Sequence, residues 1–321
     1  MNISFGDRLV GDGQPCFIVA EACENSNGNV DVACAQIRQA ALAGADGVKF
    51  QTITAGELYN PSSPRYANRR RVEMPLSDYP RLMETAKENG LILFSTPFDE
   101  PSADFLDELG VPCFKIGSGE LSHHALLRHV AKKGKPMVVS TGAAQPEWID
   151  AAVHVVKAAG NDQIIVAHCV SVYPAPAQLA NVRAVPALRE RLGVLTGFSD
   201  HTMSTAVPMA AVALGACFVE KHFTLSRALP EGDNDMSFEP HEFKAMVHEI
   251  REVEAALGSG VRSLLPEEEP MVQAARRGIY ARTAISRGQT IAGEMVAVRR
   301  PLSEISADQL DRVLGRSALT D

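Results

Sequence analysis

Residues 17–52, which read FIVAEACENSNGNVDVACAQIRQAALAGADGVKFQT, decide the fold. The stretch begins with an apolar run at 17–23 and ends with another at 47–52, and both have the length and composition of buried strands. Between them, apolar residues at 30, 33, 34, 37 and 41 share one face of a helix over 30–44. A strand, a helix and a second strand in this order predict two parallel strands joined by a right-handed crossover.

The same alternation continues to about residue 258. Apolar runs predict eight strands, at 17–23, 47–52, 91–98, 113–119, 136–142, 163–171, 194–201 and 217–224. Helical segments lie between them at 30–44, 79–90, 101–110, 124–134, 146–160 and 204–216, and several end in glycine, which favours helix termination. Eight strand–helix units predict an α/β fold, the (β/α)8 TIM barrel of about 250 residues. A doubly wound open sheet is the alternative, but no Gly-x-Gly-x-x-Gly sequence follows the first strand.

The pattern changes after residue 258. Residues 259–275 contain Ser259-Gly260 and the acidic Pro266-Glu-Glu-Glu-Pro270, which predict a linker between a barrel domain at 1–258 and a small domain at 276–321. Two short strands are predicted in the small domain, at 279–281 and 295–298. A segment of this size holds little core of its own. We therefore expect the small domain to pack against the barrel or against another subunit.

Composition excludes several classes of protein. The 321 residues are 45% hydrophobic and 22% charged, as in globular proteins. The net charge of -8 argues against a nucleic-acid or anionic-membrane partner, and no apolar run approaches a membrane span. The first residues lack a signal-peptide core, and six scattered cysteines suit reduced, buried thiols, so a cytoplasmic protein is predicted. The run Arg69-Arg70-Arg71 is predicted to be a solvated face.

Polar residues cluster where the predicted strands end, which is where barrel enzymes carry their active sites. These residues are Glu21, Lys49, Gln51, Thr96, Lys115, Ser118, Ser140, His168, Ser171, Tyr173, Ser199, His201, Glu220 and His222. Lysines beside hydroxyls and glycine turns suit a phosphate or carboxylate. Two histidines on neighbouring strands suit a divalent metal with open positions, either manganese or zinc. Taken singly, each lysine could be a salt-bridge partner, each histidine a core residue and each hydroxyl a helix cap.

Longer motifs at these positions resemble the sialic acid synthase family, which includes legionaminic and pseudaminic acid synthases. The motifs are Ala20-Glu21 with Asn25-x-Asn27-Gly28, Gly44-Ala-Asp-Gly-Val-Lys-Phe-Gln51, Phe94-Ser-Thr-Pro-Phe-Asp99, Phe114-Lys-Ile-Gly-Ser-Gly-Glu120, Ser140-Thr-Gly142, His168-Cys-x-Ser-x-Tyr-Pro174, Gly197-Phe-Ser-Asp-His-Thr202 and Glu220-Lys-His-Phe-Thr224. Farther on, Arg276-Arg277, Ile285-x-Arg-Gly288 and Arg300-Pro301 resemble that family's antifreeze-like (SAF, β-clip) domain.

The resemblance implies an enzyme that condenses phosphoenolpyruvate with an N-acetylmannosamine-type sugar, giving a nine-carbon 2-keto sugar acid and phosphate. It also implies a divalent metal, usually Mn²⁺, and a domain-swapped homodimer. By resemblance, phosphoenolpyruvate is held by Lys49, Thr96, Lys115, Ser118, Ser140, Ser171 and Ser199. The implied metal ligands are His201 and His222, Glu21 lies beside the reacting centre, and the sugar contacts are Gln51, Tyr173, Asp233 and Arg300, the last reaching the neighbouring subunit's site.

The chain departs from the family's pattern at three places. Ser26 and Asn234 stand where histidines are common, which concerns the identity of the acceptor sugar. Arg300-Pro301 is followed by Leu302 where the family is glycine-rich, and the chain ends soon after Arg316, so a trimmed small domain is expected.

Three other functions stay open at this point. The first is the same reaction on a diacetamido-dideoxy sugar, as in legionaminic or pseudaminic acid synthases. The second is a Schiff-base aldolase that uses Lys49 or Lys115 as the nucleophile. The third is a non-catalytic sugar-phosphate binding protein.

Overall fold

The computed structural model describes residues 1–321 as two compact units, 1–258 and 259–321. The first unit opens with an antiparallel hairpin of strands β1 (Asn2–Phe5) and β2 (Arg8–Gly11), which precedes the eight predicted strands and was not predicted. Its residue Phe5 is fully buried and packs edge-on against Phe17, with ring centroids 5.1 Å apart. Because Phe17 begins the first barrel strand, the hairpin covers the end at which the strands start.

Eight parallel strands then close into a barrel, with the last strand paired to the first. They are β3 (Phe17–Cys23), β4 (Gly47–Thr52), β5 (Ile92–Pro97), β6 (Phe114–Ile116), β7 (Met137–Ser140), β8 (Ile164–Cys169), β9 (Leu195–Asp200) and β10 (Phe218–His222). Each coincides with one predicted apolar run, so the predicted (β/α)8 barrel is confirmed. Six of the strands are shorter than predicted, because the residues after them turn out of the ladder at the barrel mouth.

The helices follow the strands as the repeated pattern predicts. In the first unit they are α1 (Val30–Leu42), α2 (Ala55–Leu58), α3 (Tyr66–Val72), α4 (Tyr79–Glu88), α5 (Glu100–Leu109), α6 (His124–Ala131), α7 (Pro146–Ala158), α8 (Ala184–Leu192), α9 (Ala206–Ala213) and α10 (Pro240–Leu257). The Asn29 side chain caps α1 by accepting from two backbone N–H groups, and Gly110 ends α5 with φ of 85°. The short helices α2 and α3 form an insertion between β4 and α4.

The barrel interior and the layer between strands and helices form one continuous apolar core. Every residue of β3 is buried, as expected for a strand with the barrel lumen on one side and helices on the other. All six cysteines are buried and unpaired, as predicted. None of the helices is both long enough and apolar enough to cross a membrane.

The second unit contains helix α11 (Glu269–Ala275), an antiparallel pair of strands, β11 (Gly278–Ala281) and β12 (Val296–Arg299), and helix α12 (Leu310–Val313). The two strands fall at the positions the sequence predicts. Helix α11 lies within residues 259–275, the segment predicted as a linker. Arg300 is exposed and directly follows β12.

Candidate active site

A cavity of about 530 Å³ occupies the barrel mouth, at the carboxyl ends of the strands. All eight strands, or the loops directly after them, contribute to its lining. The predicted site residues that line it are Glu21, Lys49, Gln51, Thr96, Lys115, Ser118, Ser140, Ser171, Tyr173, Ser199, His201, His222 and Asp233. Arg300 belongs to the second unit. The geometry therefore brings every barrel residue that the resemblance assigns to the site to one cavity, as convergent strand ends require.

Two buried lysines and two buried glutamates form the floor of the site. Lys49 Nζ lies 2.6 Å from Glu21 Oε2 and donates to Thr96 Oγ1 at 3.1 Å. Lys115 Nζ lies 3.4 Å from Glu220 Oε1, which is also 3.9 Å from Lys49 Nζ. Glu220 was among the polar residues predicted at the strand ends, but the resemblance assigned it no role. The available signal was the alternation of side chains along a strand, which puts Glu220 on the same face of β10 as His222.

The two glutamates differ in acidity because their surroundings differ. Burial raises the pKa of Glu21 to about 7, although Lys49 acts in the opposite direction. Burial would also raise the pKa of Glu220, but the ammonium groups of Lys115 and Lys49 outweigh it and lower that pKa to about 2. Burial lowers the pKa of Lys115 despite Glu220. Glu220 is therefore a fixed anion between the lysines, whereas Glu21 can exchange a proton near neutral pH.

Hydroxyl groups surround this charged floor. Ser199 Oγ donates to Glu220 Oε1 at 3.1 Å, and Ser118 Oγ accepts from the Gly142 N–H at 3.0 Å. Ser140 Oγ is buried and has no hydrogen-bond partner within the chain. A Cβ at Gly142 would lie 2.2 Å from Ser171 Oγ, so any residue larger than glycine at position 142 would clash with the Ser171 side chain. An unpartnered hydroxyl beside two lysines is suited to receive the oxygens of an anion.

Two histidines stand above the floor, on neighbouring strands. The ring centroids of His201 and His222 are 5.3 Å apart, and the Tyr173 ring packs against His201 at 4.1 Å, tilted by 36°. His201 Nδ1 lies 2.7 Å from the Val170 carbonyl oxygen, so Nδ1 carries the proton and Nε2 keeps its lone pair. Burial, with His222 nearby, lowers the pKa of His201 to about 4. Neutral imidazoles with free lone pairs are the state that metal ions bind.

Not every polar residue at the strand ends reaches the cavity. His168 bonds through Nε2 to the Ala180 carbonyl oxygen at 2.9 Å and lies outside the main site, beside helices α7 and α8. Ser26 and Asn234 are buried but do not line the cavity, and Asn234 is held by Thr224 Oγ1 at 2.5 Å. The two departures at Ser26 and Asn234 therefore lie behind the cavity wall and do not contact the cavity.

The insertion after β4 contributes two arginines to the cavity, Arg65 and Arg69. Arg69 forms an ion pair with the buried Glu24, and the neighbouring Arg71 pairs with Glu231. The prediction that 69–71 is a solvated face is therefore wrong for Arg69, because α3 folds over the barrel mouth and turns that side chain inward. The helical offset leaves Arg70 in solvent.

Comparisons with known proteins agree with this architecture. Residues 36–262 match the model of the NeuB family, and residues 276–321 match the SAF domain, which confirms the predicted antifreeze-like domain. An N,N'-diacetyllegionaminic acid synthase of Legionella pneumophila is 36% identical, over 97% of this chain and 92% of its own length. The N-acetylneuraminate-9-phosphate synthase of Mus musculus is 34% identical, over 91% of this chain and 85% of its own.

A solved structure is also similar over most of the chain. It is the N-acetylneuraminic acid (sialic acid) synthetase of Leptospira borgpetersenii in complex with citrate. The TM-score is 0.80 at 32% sequence identity, and the match covers 85% of this chain and 95% of the other.

Proposed function

Because the chain belongs to the NeuB family, we propose that it condenses phosphoenolpyruvate with an N-acetylmannosamine-type sugar. The products are a nine-carbon 2-keto sugar acid, sialic acid or a related nonulosonate, and phosphate. Family membership is what the motifs predict. The observation that carries the proposal is the pair of buried lysines, Lys49 and Lys115, beside the unpartnered Ser140 hydroxyl in one cavity. Together they form a site for a small, highly charged anion.

Phosphoenolpyruvate occupies the floor in this proposal. Lys49 and Lys115 bind its carboxylate and phosphate, and the hydroxyls of Thr96, Ser118, Ser140, Ser171 and Ser199 bind the remaining oxygens. Cations fixed in a buried site stabilise charge as it develops on the departing phosphate, without having to reorganise. Glu220 holds both ammonium groups in place before the substrate arrives.

The acceptor sugar lies above, toward Gln51, Tyr173 and Asp233, with its open-chain aldehyde facing C3 of phosphoenolpyruvate. The electron-rich C3 forms the new bond to the aldehyde carbon, water adds at C2, and the C2–O bond to phosphate breaks. Glu21 Oε1 accepts from Gln51 Nε2 at 3.0 Å, so this carboxyl group lies between the two substrate positions. With a pKa of about 7, it is suited to hold and return the proton that water releases.

His201 and His222 fit a divalent metal, and we propose Mn²⁺ as the ion. His222 Nδ1 is buried without a hydrogen-bond partner, and His201 presents its unprotonated nitrogen. A divalent ion bound there supplies Lewis-acid polarisation of the aldehyde oxygen. The Val170 carbonyl fixes the tautomer and orientation of the His201 ring for that role.

A diacetamido-dideoxy sugar is the second candidate acceptor, as in a legionaminic or pseudaminic acid synthase. It is favoured by the 36% identity to the N,N'-diacetyllegionaminic acid synthase of Legionella pneumophila. The proposed enzyme is a cytoplasmic homodimer in which Arg300 reaches the acceptor in the site of the partner subunit.

Calorimetric titration with phosphoenolpyruvate tests the floor of the site. Lys115→Met removes one buried cation, so we expect binding to weaken by about 2 kcal/mol or more, roughly 30-fold. Lys133→Met is the matched control, since Lys133 lies just after α6 and pairs with Asp104 of the outer helix α5. Equal affinities of both variants would overturn the assignment of phosphoenolpyruvate to this floor.

A further inference from the structure

Cys23 is buried directly behind the active-site cavity, in contact with two residues that line it, and neither the motifs nor the proposed mechanism uses it. Its Sγ is 3.1 Å from Asp233 Oδ2 and 3.0 Å from Gln51 Nε2. His222 Nδ1 is 3.7 Å from the same Asp233 oxygen. One ligand atom from each of Cys23, His222 and Asp233 therefore lies within 4.8 Å of the other two.

The backbone at Cys23 departs from regular strand geometry in two ways. The pairing of β3 with β4 shifts by one residue between Glu21 and Cys23, which is a β-bulge. Cys23 itself has φ of 50°, in the left-handed region that glycine occupies most readily. A side chain there costs conformational energy, and such positions cluster at functional sites.

The buried ring of His222 has an unpaired nitrogen close to Cys23 and Asp233. The His222 side chain is 8% exposed, and its Nδ1 has no hydrogen-bond partner within the chain. Buried polar nitrogens are almost always paired. His222 Nδ1 is thus a buried imidazole nitrogen that faces a carboxylate and a thiol and can donate a lone pair to a metal ion.

We propose that the Cys23 thiolate is a ligand of the divalent metal, together with His222 and Asp233, and gives the site a preference for thiophilic ions. This inference rests on the proposed metal dependence, and it adds Cys23 and Asp233 to His222 as ligands of the ion. Tetrahedral bonds of about 2.0–2.3 Å put neighbouring ligand atoms about 3.3–3.8 Å apart. The two spacings to Asp233 Oδ2, 3.1 Å from Cys23 Sγ and 3.7 Å from His222 Nδ1, are close to this range. A thiolate and a carboxylate together also balance the two charges of the ion.

The choice of ligand has a consequence for metal preference. Thiolate binds Co²⁺ and Zn²⁺ more strongly than Mg²⁺, whereas oxygen ligands suit Mg²⁺ and Mn²⁺. We therefore expect Cys23→Ser to weaken Co²⁺ binding much more than Mn²⁺ binding, as measured by calorimetry. A Co²⁺ to Mn²⁺ affinity ratio equal to that of the unchanged protein would overturn the preference.

Co²⁺ titration of the full chain tests the ligand directly, because a cobalt–thiolate bond has a near-ultraviolet charge-transfer absorption. Cys23→Gly is the main variant, since glycine suits the backbone at this position and so preserves folding. Cys217→Ser is the matched control, because Cys217 immediately precedes β10, at the opposite end of the barrel. His222→Ala reports on metal binding as a whole.

We expect the band in the unchanged protein and in Cys217→Ser, and its loss in Cys23→Gly with Co²⁺ affinity reduced by roughly 10- to 100-fold. Persistence of the band in Cys23→Gly would overturn the inference. The inference would also be overturned if the unchanged protein lacked the band while calorimetry showed Co²⁺ binding that depends on His222. In that case the proposed metal dependence would still hold. Absence of any Co²⁺ binding by calorimetry would overturn both the Cys23 ligand and the proposed metal dependence. It would not affect the proposed phosphoenolpyruvate site, which is tested separately by titration with phosphoenolpyruvate.

Discussion

Lys49 and Lys115 are cations in a buried place, and their charges are balanced before any substrate binds. Glu220 lies 3.4 Å from Lys115 Nζ and 3.9 Å from Lys49 Nζ. A buried ion pair adds little net stability, but removing one partner is costly, because the other charge is left unpaired. Glu220 is therefore a positioning residue for the proposed phosphoenolpyruvate site.

Glu220→Gln should destabilise the protein and increase its response to phosphoenolpyruvate. We expect a loss of about 3 kcal/mol, since two buried ammonium groups lose their shared anion. Phosphoenolpyruvate would restore negative charge, so it should raise the melting temperature of the variant more than that of the unchanged protein. Scanning calorimetry with and without the ligand measures both effects. Glu252→Gln is the control, because Glu252 is largely exposed on α10. A ligand-induced shift no larger than that of the unchanged protein would contradict the prediction.

Some residues of the proposed site could be predicted from the sequence and others could not. Glu21, Lys49 and Lys115 were predictable, because each is a charged residue in an apolar strand and strand ends converge in a barrel. Glu220 was harder to single out, since its neighbour Lys221 is also charged and only the strand's alternation separates them. Lys221 faces away from the lumen, where it bonds to Asp200 at 2.7 Å. Cys23 gave no sequence signal, because its role depends on a bulge and on Asp233, 210 positions away.

At the scale of elements, the insertion between β4 and α4 contributes two arginines, Arg65 and Arg69, to the barrel mouth. From the sequence alone, one cannot predict which of three consecutive arginines on a helix faces the barrel, because the surface that the helix packs against is unknown. In the structure, α3 turns Arg69 toward Glu24 and leaves Arg70 in solvent. Arg65, Arg69 and Asp233 also share a smaller cavity, at the proposed acceptor end of the site.

Arg69→Ala should weaken the proposed acceptor site and leave phosphoenolpyruvate binding unchanged. The arginine lines the main cavity and fixes Glu24, so we expect the KM for the acceptor to rise roughly tenfold, as for loss of a charged hydrogen bond. Arg70→Ala, one position along the same helix, is the matched control. Steady-state kinetics at saturating phosphoenolpyruvate would reveal the difference. If both variants had the same acceptor KM, α3 would have no part in the acceptor site.

Strand β8 contributes a pH-sensitive element outside the active site. Burial lowers the pKa of His168 below its usual 6.5, although the bond to the Ala180 carbonyl opposes this. The unfolded chain therefore binds a proton more readily, so folding stability falls as pH decreases through 6.5 toward the folded-state pKa.

His168→Gln should reduce this loss of stability, since glutamine keeps a donor for Ala180 but does not titrate. We expect a slope smaller by up to about 1.4 kcal/mol per pH unit below pH 6.5. Urea unfolding at a series of pH values measures the slope. His248→Gln provides the control on an exposed histidine. The same slope in the unchanged protein and in His168→Gln would refute the prediction.

At the scale of the whole molecule, the chain has two units, and their matches to the NeuB and SAF models account for most of its length. The barrel unit was predictable in detail, because repeated strands and helices leave few arrangements. The second unit has only short elements, so its identity came from the Arg276, Gly288 and Arg300 motifs and not from periodicity.

Arg300→Ala should raise the acceptor KM while the affinity for phosphoenolpyruvate stays the same. In the proposed dimer this arginine reaches the acceptor of the partner subunit, so its loss removes a contact made to the sugar only. Arg299→Ala is the control, being exposed at the end of β12. Kinetics combined with light scattering tests the proposal. Full activity in a protein that is monomeric at assay concentration would rule out the cross-subunit role.

The most direct measurement is phosphate release from phosphoenolpyruvate with Mn²⁺, across a panel of acetamido and diacetamido sugars, with and without EDTA. Release with one sugar, abolished by chelation and restored by added metal, is the predicted result, and it would identify the acceptor. Borohydride added with pyruvate should leave no stable adduct on Lys49 or Lys115. No phosphate release with any sugar, or release that persists in EDTA together with a trapped lysine adduct, would contradict the proposed metal-dependent condensation.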